Sequence, residues 1–513
     1  MDTKSKWSES KIPRFQKLNN NHKCEVLVIG GGITGLTTAY ILAKEGRKVC
    51  LIERERLGGI DTSHTTAHLT CVTDARISEL VRNFGKDNAQ KVWRAGEDAI
   101  NTIEKIVEEE SIDCDFKRVP GYLLSSLVDS REDSRLKKDY NWARNLDFDA
   151  RYPAAVPYFK KAGVHFPKQA LIHPVKFMAG LAEKIIEYGG EIYEQTEAGE
   201  FSGQYRVEAG SHTIDADYVV IATHVPLVGA TPIVWATLFQ TKLALYSSYV
   251  IGAKLPRDIV KEGCYWDTKD PYYYLRVEAK EDHDYAIFGG RDHKTGQIND
   301  TIKCYAELES DFLKVFPVAK VDYRWSGQVV ETHDGLPFIG ENIEKQFISS
   351  GFSGNGITFG TLAALMASDA IAGRENTYKT LFSPGRFKLI GGAYDYMKEN
   401  ADYPIYMIKD RLQGVPKAEG TPITSGEGKL VNIDGQKTAC YCDESGKVTC
   451  MSAVCPHMGG IVHWNAAEKT WDCPCHGSRF HATGEVMTGP AESGLEALNE
   501  NVEEGRPIPV LGR

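Results

Sequence analysis

The stretch EVLVIGGGITGLTTAYILAKEGRKVCLIERERLGG, residues 25–59, decides the fold of the first part of the chain. Its hydrophobic periodicity predicts a strand, a helix and a second strand, at residues 25–29, 33–44 and 49–52. Gly30, Gly32 and Gly35 form a GxGxxG pattern between the first strand and the helix. Glycines at this spacing allow a tight turn and bring a pyrophosphate to the helix N-terminus. This βαβ context favours a dinucleotide site over a merely glycine-rich turn.

Two residues after the second strand complete this predicted site. Glu53 is placed to bind ribose hydroxyls, and we include the adjacent Arg54 as a cofactor-binding candidate. The chain has no second GxGxxG fingerprint. A reductase that holds NAD(P)H beside a flavin is therefore disfavoured.

Composition limits the remaining possibilities. The chain has 513 residues, enough for about three domains. Its net charge is −10 and it has no lysine- or arginine-rich run, so we expect no nucleic-acid partner. Residues 1–23 are polar and lack the apolar core of a signal peptide, and residues 218–239 suit a buried strand followed by a loop better than a membrane span. We expect a cytoplasmic protein without a membrane span.

A cluster of cysteines and histidines stands near the other end, in CPHMGGIVHWNAAEKTWDCPCHGSRF, residues 455–480. Cys455, His457, Cys473 and His476 form the pattern CxH, fifteen residues, CxxH. Two such loops can each supply one thiolate and one imidazole to a [2Fe-2S] centre of the Rieske type. The alternative is a zinc site, but zinc fingers pair cysteine with cysteine and histidine with histidine along the chain. The mixed pairs favour the Rieske cluster.

The twelve cysteines otherwise suggest reduced thiols rather than a disulfide framework, because no export signal is apparent. Six of them lie between residues 440 and 475, which indicates a separate module. Dipeptides typical of hairpin turns occur around the ligands, at residues 434–435, 445–446 and 483–484. They predict a small antiparallel β domain.

Residues 415–513 resemble Rieske domains in CPH, CPCHGSRF and the trailing GEVMTGPA. The resemblance implies that Ser478 donates to a cluster sulfide and that Phe480 replaces a tyrosine of the high-potential members. It also implies that Cys475 is a free thiol, because its disulfide partner in respiratory Rieske proteins would fall at Gly460. Since one donor to sulfur is lost, we expect a reduction potential below the respiratory type.

The middle of the chain resembles the family of D-amino-acid oxidase, glycine oxidase and sarcosine oxidase. The similarity is carried by HPVKFMAGLAEKIIEYGGEIYE from residue 173, WSGQVVETHDGLPFIG at 325–340 and FISSGFSGNGITFGTLAALMASDAIAG at 347–373. It implies that the dinucleotide is FAD. The predicted flavin-binding residues before the last helix are Gly351, Gly354, Gly356 and Ile357. Backbone amides there would face the flavin pyrimidine, although the same glycines could serve only as a helix cap for packing.

The family oxidises amines or amino acids, and its catalytic side chains are few. Arg276 or Arg291 could bind a substrate carboxylate, and Tyr274 could line the cavity. A surface arginine and a half-buried aromatic strand are the alternatives. His64 is near the position where relatives contact flavin, although a loop histidine bonded to backbone is the simpler interpretation. We expect FAD to be bound non-covalently and released on acid precipitation.

These patterns predict a multidomain α/β (α+β) chain with a Rossmann-like FAD-binding domain, an inserted substrate domain of mixed sheet and a C-terminal all-β Rieske domain. The predicted boundaries are a polar N-terminal extension at 1–23; FAD-binding segments at 24–80, 151–229 and 326–375; substrate segments at 81–150 and 230–325; a connector at 376–414; and the Rieske domain at 415–513.

The function that these domains imply is an FAD-dependent oxidoreductase of an amine or amino-acid-like substrate. Flavin takes two electrons at once and a Rieske cluster carries one, so the pair suggests a relay to a soluble electron acceptor protein. A soluble donor protein could instead feed electrons through the cluster to the flavin. A redox sensor without turnover is a further alternative.

Overall fold

The computed structural model describes residues 3–202, 205–226, 242–386, 402–418 and 422–498. Its first sheet has six strands in the order Phe338–Ile343, Gln346–Ser350, Tyr218–Ile221, Val26–Ile29, Val49–Ile52 and Glu191–Tyr193. All neighbouring pairs are parallel except the hairpin that joins the first two strands. The predicted βαβ unit therefore forms the centre of a doubly wound sheet, because Val26–Ile29 lies between Tyr218–Ile221 and Val49–Ile52.

Helices from distant parts of the chain pack against this sheet and against one another. The described α-helices are Ile33–Lys44, Ile77–Phe84, Lys86–Glu110, Leu136–Asn145, Pro174–Glu187, Thr301–Val315, Gly356–Ile371, Lys379–Phe382 and Tyr403–Leu412, with short 3-10 turns at Lys6–Glu9, Thr62–His64 and Ser353–Asn355. Helix Ile33–Lys44 is almost wholly buried and packs against Gly356–Ile371 and Pro174–Glu187. A Cβ atom at Gly360 would lie 2.6 Å from the Thr34 hydroxyl, so a glycine is needed for this close packing.

A second, mixed sheet has eight strands. Their order is Lys320–Thr332, Leu243–Leu255, Asp284–Lys294, Tyr274–Ala279, Gly263–Asp267, Lys117–Leu124, Gly163–Leu171 and His68–Leu69. This sheet is the inserted mixed sheet that the sequence predicts, but it also takes in Gly163–Leu171, which the predicted boundaries assign to the FAD-binding domain. A four-stranded sheet of His22–Lys23, His212–Asp215, Arg206–Ala209 and Ala198–Phe201 flanks the first sheet.

The C-terminal domain is entirely antiparallel. Its sheets are Gly428–Ile433, Gln436–Cys442 and Val448–Ser452, then His463–Asn465, Thr470–Asp472, Arg479–His481 and Val486–Thr488. Cys440 and Cys450 face each other on neighbouring strands and form a disulfide. The expectation of reduced thiols is wrong for this pair because the hairpin register places the two side chains together; the other ten cysteines are free.

The polar N-terminal extension packs against the body of the protein. Trp7 is buried, and its indole nitrogen donates to the Thr65 carbonyl at 2.6 Å. The Phe15 amide donates to the Glu194 carboxylate at 3.0 Å. Within the described ranges, no helix is both long and apolar enough to cross a membrane. Residues 227–239 of the stretch considered above, much of the connector and the end of the C-terminal domain lie outside the described residues.

Candidate active site and cluster site

A cavity of about 1560 Å³ runs between the two large sheets and reaches the C-terminal domain. It begins at the glycine-rich turn after Val26–Ile29. Gly30 has φ +109°, and a Cβ atom there would lie 2.5 Å from the Ala222 carbonyl oxygen. A Cβ atom at Gly35 would lie 1.9 Å from the Gly30 carbonyl oxygen, so only glycine lets the helix start this close to the strand. Gly30 and Gly32 line the cavity, whereas Gly35 lies behind them as the packing glycine.

Glu53 and Arg54 lie at the carboxyl end of the second strand and also line the cavity. One Glu53 oxygen accepts from the Gly31 amide at 2.7 Å and the other from the Glu55 amide at 2.8 Å. Burial raises the pKa of the Glu53 carboxyl. Arg54 donates to the Met487 carbonyl of the C-terminal domain at 2.7 Å. This turn and acid therefore have the arrangement that a dinucleotide requires.

The second predicted flavin segment lies across the cavity. Gly351, Gly354, Gly356 and Ile357 all line it. No atom lies within 4 Å of the position where Gly356 would carry a Cβ atom, so the start of helix Gly356–Ile371 opens on the cavity. The Gly354 amide donates to the Asp74 carboxylate at 2.7 Å. These residues and the glycine-rich turn fit FAD, because the two segments line the same cavity and their glycines leave the main chain uncovered there.

The substrate end of the cavity has tyrosines and carboxylates from the eight-stranded sheet. Ser248 bonds to Tyr274 at 2.6 Å and donates to Asp292 at 2.5 Å, while Tyr272 donates to Asp74 at 3.1 Å. Asp292 lies partly buried in the cavity wall, and desolvation raises the pKa of its carboxyl to about 7. Desolvation also raises the pKa of Asp74. Tyr274 is the predicted residue found here.

Sequence reasoning missed Asp74, Ser248 and Asp292. Ser248 and Asp292 come from neighbouring strands of the sheet, Leu243–Leu255 and Asp284–Lys294, at the point where the register between the strands shifts. Asp74 comes from a loop 174 residues before Ser248 and 218 residues before Asp292. The nearest signal in the sequence was FGGRDHKTG, where Asp292 directly follows Arg291.

Arg276 does not line the cavity, and its guanidinium donates hydrogen bonds to main-chain carbonyls. It is 1 % exposed and donates to the carbonyls of Thr66, Ala67 and Ile172 at 3.1, 2.7 and 2.9 Å. It also pairs with Glu278. The geometry corrects the prediction that Arg276 binds a substrate carboxylate, because the guanidinium instead joins three segments of the fold.

Arg291 is the second predicted carboxylate ligand, and it too lies outside the cavity lining. It pairs with Glu307 at 2.9 Å and with Asp311, both on helix Thr301–Val315. The strand is irregular at this point, because its register with Leu243–Leu255 shifts between Ser247 and Tyr249 and Arg291 has φ +64°. The side chain of Arg291 therefore braces the helix behind the sheet, which corrects the second assignment.

His64 lines the cavity, and its Nδ1 atom bonds to the Ile60 carbonyl. A Cβ atom at Gly327 would lie 3.2 Å from the His64 carbonyl oxygen, and the Trp325 indole donates to that oxygen at 2.8 Å. The loop is thus pinned against strand Lys320–Thr332. His64 stays a candidate for flavin contact.

The four predicted cluster ligands lie in two pairs. The thiols of Cys455 and Cys473 are in hydrogen-bonding contact. The rings of His457 and His476 lie 4.9 Å apart, and Nδ1 of His476 is buried without a hydrogen-bond partner. Within the described ranges, no three metal-binding side chains converge on one ion. Two separate pairs and an unpartnered ring nitrogen are what a two-iron cluster with mixed ligands needs.

The residues around the two ligand pairs include those at which the sequence differs from respiratory Rieske domains. A Cβ atom at Gly460 would lie 2.7 Å from the Cys475 sulfur, so Gly460 does occupy the place of a disulfide partner, and Cys475 is free. The Ser478 hydroxyl is in hydrogen-bonding contact with the Cys455 thiol and accepts from the Ala491 amide at 3.1 Å. Phe480 is fully buried and offers no donor.

The loop at residues 473–477 docks on the eight-stranded sheet. A Cβ atom at Gly296 would lie 2.7 Å from the main chain of Cys473 and Pro474. Gln328 is 4 % exposed; it donates to the Gly477 carbonyl at 2.8 Å and accepts from the Thr488 hydroxyl at 3.2 Å. His457 lines the same cavity as the glycine-rich turn. The predicted flavin site and one ligand of the cluster site, His457, therefore border the same cavity.

Comparison with known proteins agrees with this geometry. A family model described as FAD dependent oxidoreductase matches residues 25–370, and a model described as Rieske [2Fe-2S] domain matches residues 415–499. The putative Rieske 2Fe-2S iron-sulfur protein YhfW of Bacillus subtilis is 33% identical over 494 residues, which are 95% of this chain and 96% of that protein. These matches indicate FAD and a Rieske cluster as the cofactors.

Two further proteins resemble the flavin part. Gamma-glutamylputrescine oxidoreductase of Escherichia coli is 24% identical over 438 residues, 79% of this chain and 97% of that protein. The crystal structure of glycine oxidase from Geobacillus kaustophilus superposes with a TM-score of 0.58 at 18% identity, covering 72% of this chain and all of that one. The second likeness shows the shared fold.

Proposed function

Because the chain belongs to the FAD dependent oxidoreductase family, we propose that it oxidises an amine or amino-acid-like substrate and passes the electrons through the Rieske cluster to an external acceptor protein. One observation carries the proposal: a single cavity includes the glycine-rich turn, the Tyr274 and Asp292 end, and the cluster ligand His457. When bound, FAD would accept a hydride from the carbon next to the amine nitrogen, and the cluster would carry single electrons.

Different residues of the chain would hold the two ends of FAD. The turn at Gly30–Gly32 and the acid Glu53 would hold the dinucleotide end, and the open start of helix Gly356–Ile371 would face the flavin ring. The positive end of that helix stabilises negative charge on the reduced ring.

Asp292 and Asp74 give the substrate end a negative charge, which attracts an ammonium group. The pKa of Asp292 is about 7. Around neutral pH this carboxyl therefore exists in both its protonated and ionised forms, and the ionised form can take the proton that an ammonium must lose before the adjacent carbon gives up a hydride. Ser248 holds the carboxyl by its hydrogen bond, and Tyr274 in turn bonds to Ser248. The name of the gamma-glutamylputrescine relative supports an amine substrate.

Oxidation of an amine to an imine releases two electrons and two protons. The cluster accepts one electron at a time, so each turnover would require two passages to an acceptor. The position of His457 on the cavity wall supports a direct passage. We further propose that the protein acts in the cytoplasm, which the ten free cysteines support.

The test is an anaerobic screen of primary and secondary amines and amino acids against the purified protein. Flavin bleaching is followed by absorbance, and frozen samples are examined by paramagnetic resonance for the reduced cluster. We expect at least one amine to bleach the flavin, after which the cluster signal appears. Asp292→Asn should slow the bleaching of the flavin. In Cys455→Ala, which removes a cluster ligand, the flavin should still bleach, but the paramagnetic signal of the reduced cluster should not appear.

Two results would contradict the proposal. If no compound bleaches the flavin while a reduced carrier protein fills first the cluster and then the flavin, electrons flow in the opposite direction. If neither occurs although both cofactors are present, the protein is a redox sensor rather than an enzyme of this type.

A further inference from the structure

An exposed apolar strip lies on helix Tyr403–Leu412. Ile405, Ile408 and Leu412 are 60 %, 62 % and 80 % exposed, and their spacing places them along one side of the helix. The opposite side is packed, because Tyr406 and Met407 contact the core of the Rieske domain. Large side chains in a contiguous apolar strip, unlike single exposed ones, mark interaction surfaces.

The helix is fixed to the loops that carry the cluster ligands. Arg411 donates to the Gly459 carbonyl at 2.9 Å, and Asp410 pairs with His463 at 3.0 Å. Met458, beside Gly459 in the chain, is 40 % exposed. The strip therefore continues to the ligand loop, and we call Ile405, Ile408, Leu412 and Met458 the helix patch.

The helix that bears the patch contacts the cluster site through its buried side. The ring of Tyr403, the first residue of the helix, lies 4.5 Å from the ring of His476. The other histidine, His457, lines the flavin cavity. The two histidines thus have different neighbours: one faces the cavity and the other contacts the helix that bears the patch.

The charge beside the patch is positive. Lys409 and Arg411 are exposed, whereas Asp410 is buried in its pair with His463. The chain as a whole has a net charge of −10, so this positive surface stands out from the rest. A two-fold contact between copies of the chain would bring the same basic residues together, which disfavours a second copy.

We propose that the helix patch is the docking surface for an acidic one-electron acceptor protein, which takes electrons from the cluster on the side of His476. The proposal rests on the proposed function for its need of an external carrier. Apolar contact at the centre with complementary charge at the rim is the usual arrangement of such interfaces.

The experiment uses the complete protein with both cofactors and a plant-type [2Fe-2S] ferredoxin as the probe. Reduced ferredoxin has a lower potential than Rieske centres, so it transfers an electron to the oxidised cluster without any substrate. Stopped-flow absorbance gives the second-order rate constant, and calorimetric titration gives the affinity. We expect the rate constant to fall about tenfold or more when salt screens the charges, since steered association depends on ionic strength.

The variant I408E/L412E places acidic side chains in the patch and should lower both the rate constant and the affinity at least tenfold. The control is Val318→Glu, which introduces one acidic side chain at another apolar position, 63 % exposed, after helix Thr301–Val315. Dithionite should reduce the cluster equally in all three proteins, with unchanged cluster spectra.

Equal rate constants and affinities for the wild type, I408E/L412E and Val318→Glu would overturn the proposal. A wild-type dimer that I408E/L412E converts to a monomer in sedimentation would also overturn it, in favour of a second copy at the patch. Because no amine is used, a failure here is distinguishable from a failure of amine oxidation.

Discussion

Replacing Gln328 by leucine should loosen the Rieske domain from the flavin domain. The buried amide bonds to Gly477 and Thr488, as described above, and donates also to the Thr295 hydroxyl at 3.1 Å. Leucine removes all three bonds and leaves a buried carbonyl without its donor. Two of these bonds, to Gly477 and Thr488, reach the Rieske domain. At about 1 kcal/mol for each, the docked arrangement loses about 2 kcal/mol, or roughly thirtyfold in its opening equilibrium.

Hydrogen–deuterium exchange measures this opening directly. Amides in residues 473–488 should exchange up to about thirtyfold faster in Gln328→Leu, because the loop separates from the sheet more often. The control is Gln169→Leu, the same change at a buried glutamine whose side-chain oxygen accepts from the Cys71 amide within the flavoprotein part. If exchange in residues 473–488 is the same in the wild type and both variants, Gln328 does not hold the two domains together.

Three further changes test the sites. Gly35→Ala should yield protein with less than about a tenth of its FAD by absorbance, because the new methyl group meets main chain; Gly414→Ala, where no atom lies within 4 Å, should keep its FAD. Gly460→Cys should form a disulfide with Cys475, seen as a mass lower by two hydrogens than that of the reduced form; an unchanged mass would contradict the geometry. For an amine substrate, kcat/KM should rise with pH through about 7, because the Asp292 carboxyl ionises there, and the rise should be absent in Asp292→Asn; an identical pH profile would exclude this role.

Local motifs explain why the cofactor sites could be predicted from the sequence. The GxGxxG turn is determined by residues that lie within ten positions of one another, and Glu53 follows from the length of a single βαβ unit. The cluster ligands similarly come from two short loops. In each case binding of the cofactor requires a fixed spacing of a few residues, so that spacing can be recognised in the sequence.

The substrate end was harder to predict because its residues meet only through the tertiary fold. Arg276 is an arginine beside a tyrosine-rich run, and nothing near it in the sequence shows that carbonyls from two distant segments use its hydrogen bonds. Asp292 directly follows Arg291, and the strand pairing shifts register at these two residues, so predicting which one faces the cavity requires the pairing of the sheet.

The disulfide shows a different limit. The predicted turn at residues 445–446 lies midway between Cys440 and Cys450, and a hairpin centred there places the two cysteines opposite each other. The signal was therefore present in the turn and the spacing. Compositional reasoning about the whole chain gave the opposite expectation because it averages over positions.

The buried tryptophan near the start of the chain matters for recombinant work. The Thr3 hydroxyl donates to the Ala467 carbonyl of the Rieske domain at 3.4 Å, and Trp7 supports the loop that carries His64. Residues 3–10 therefore contact both the Rieske domain and the loop that carries His64, despite their polar composition. Shortening this segment to aid crystallisation would remove both contacts and leave that loop less well held.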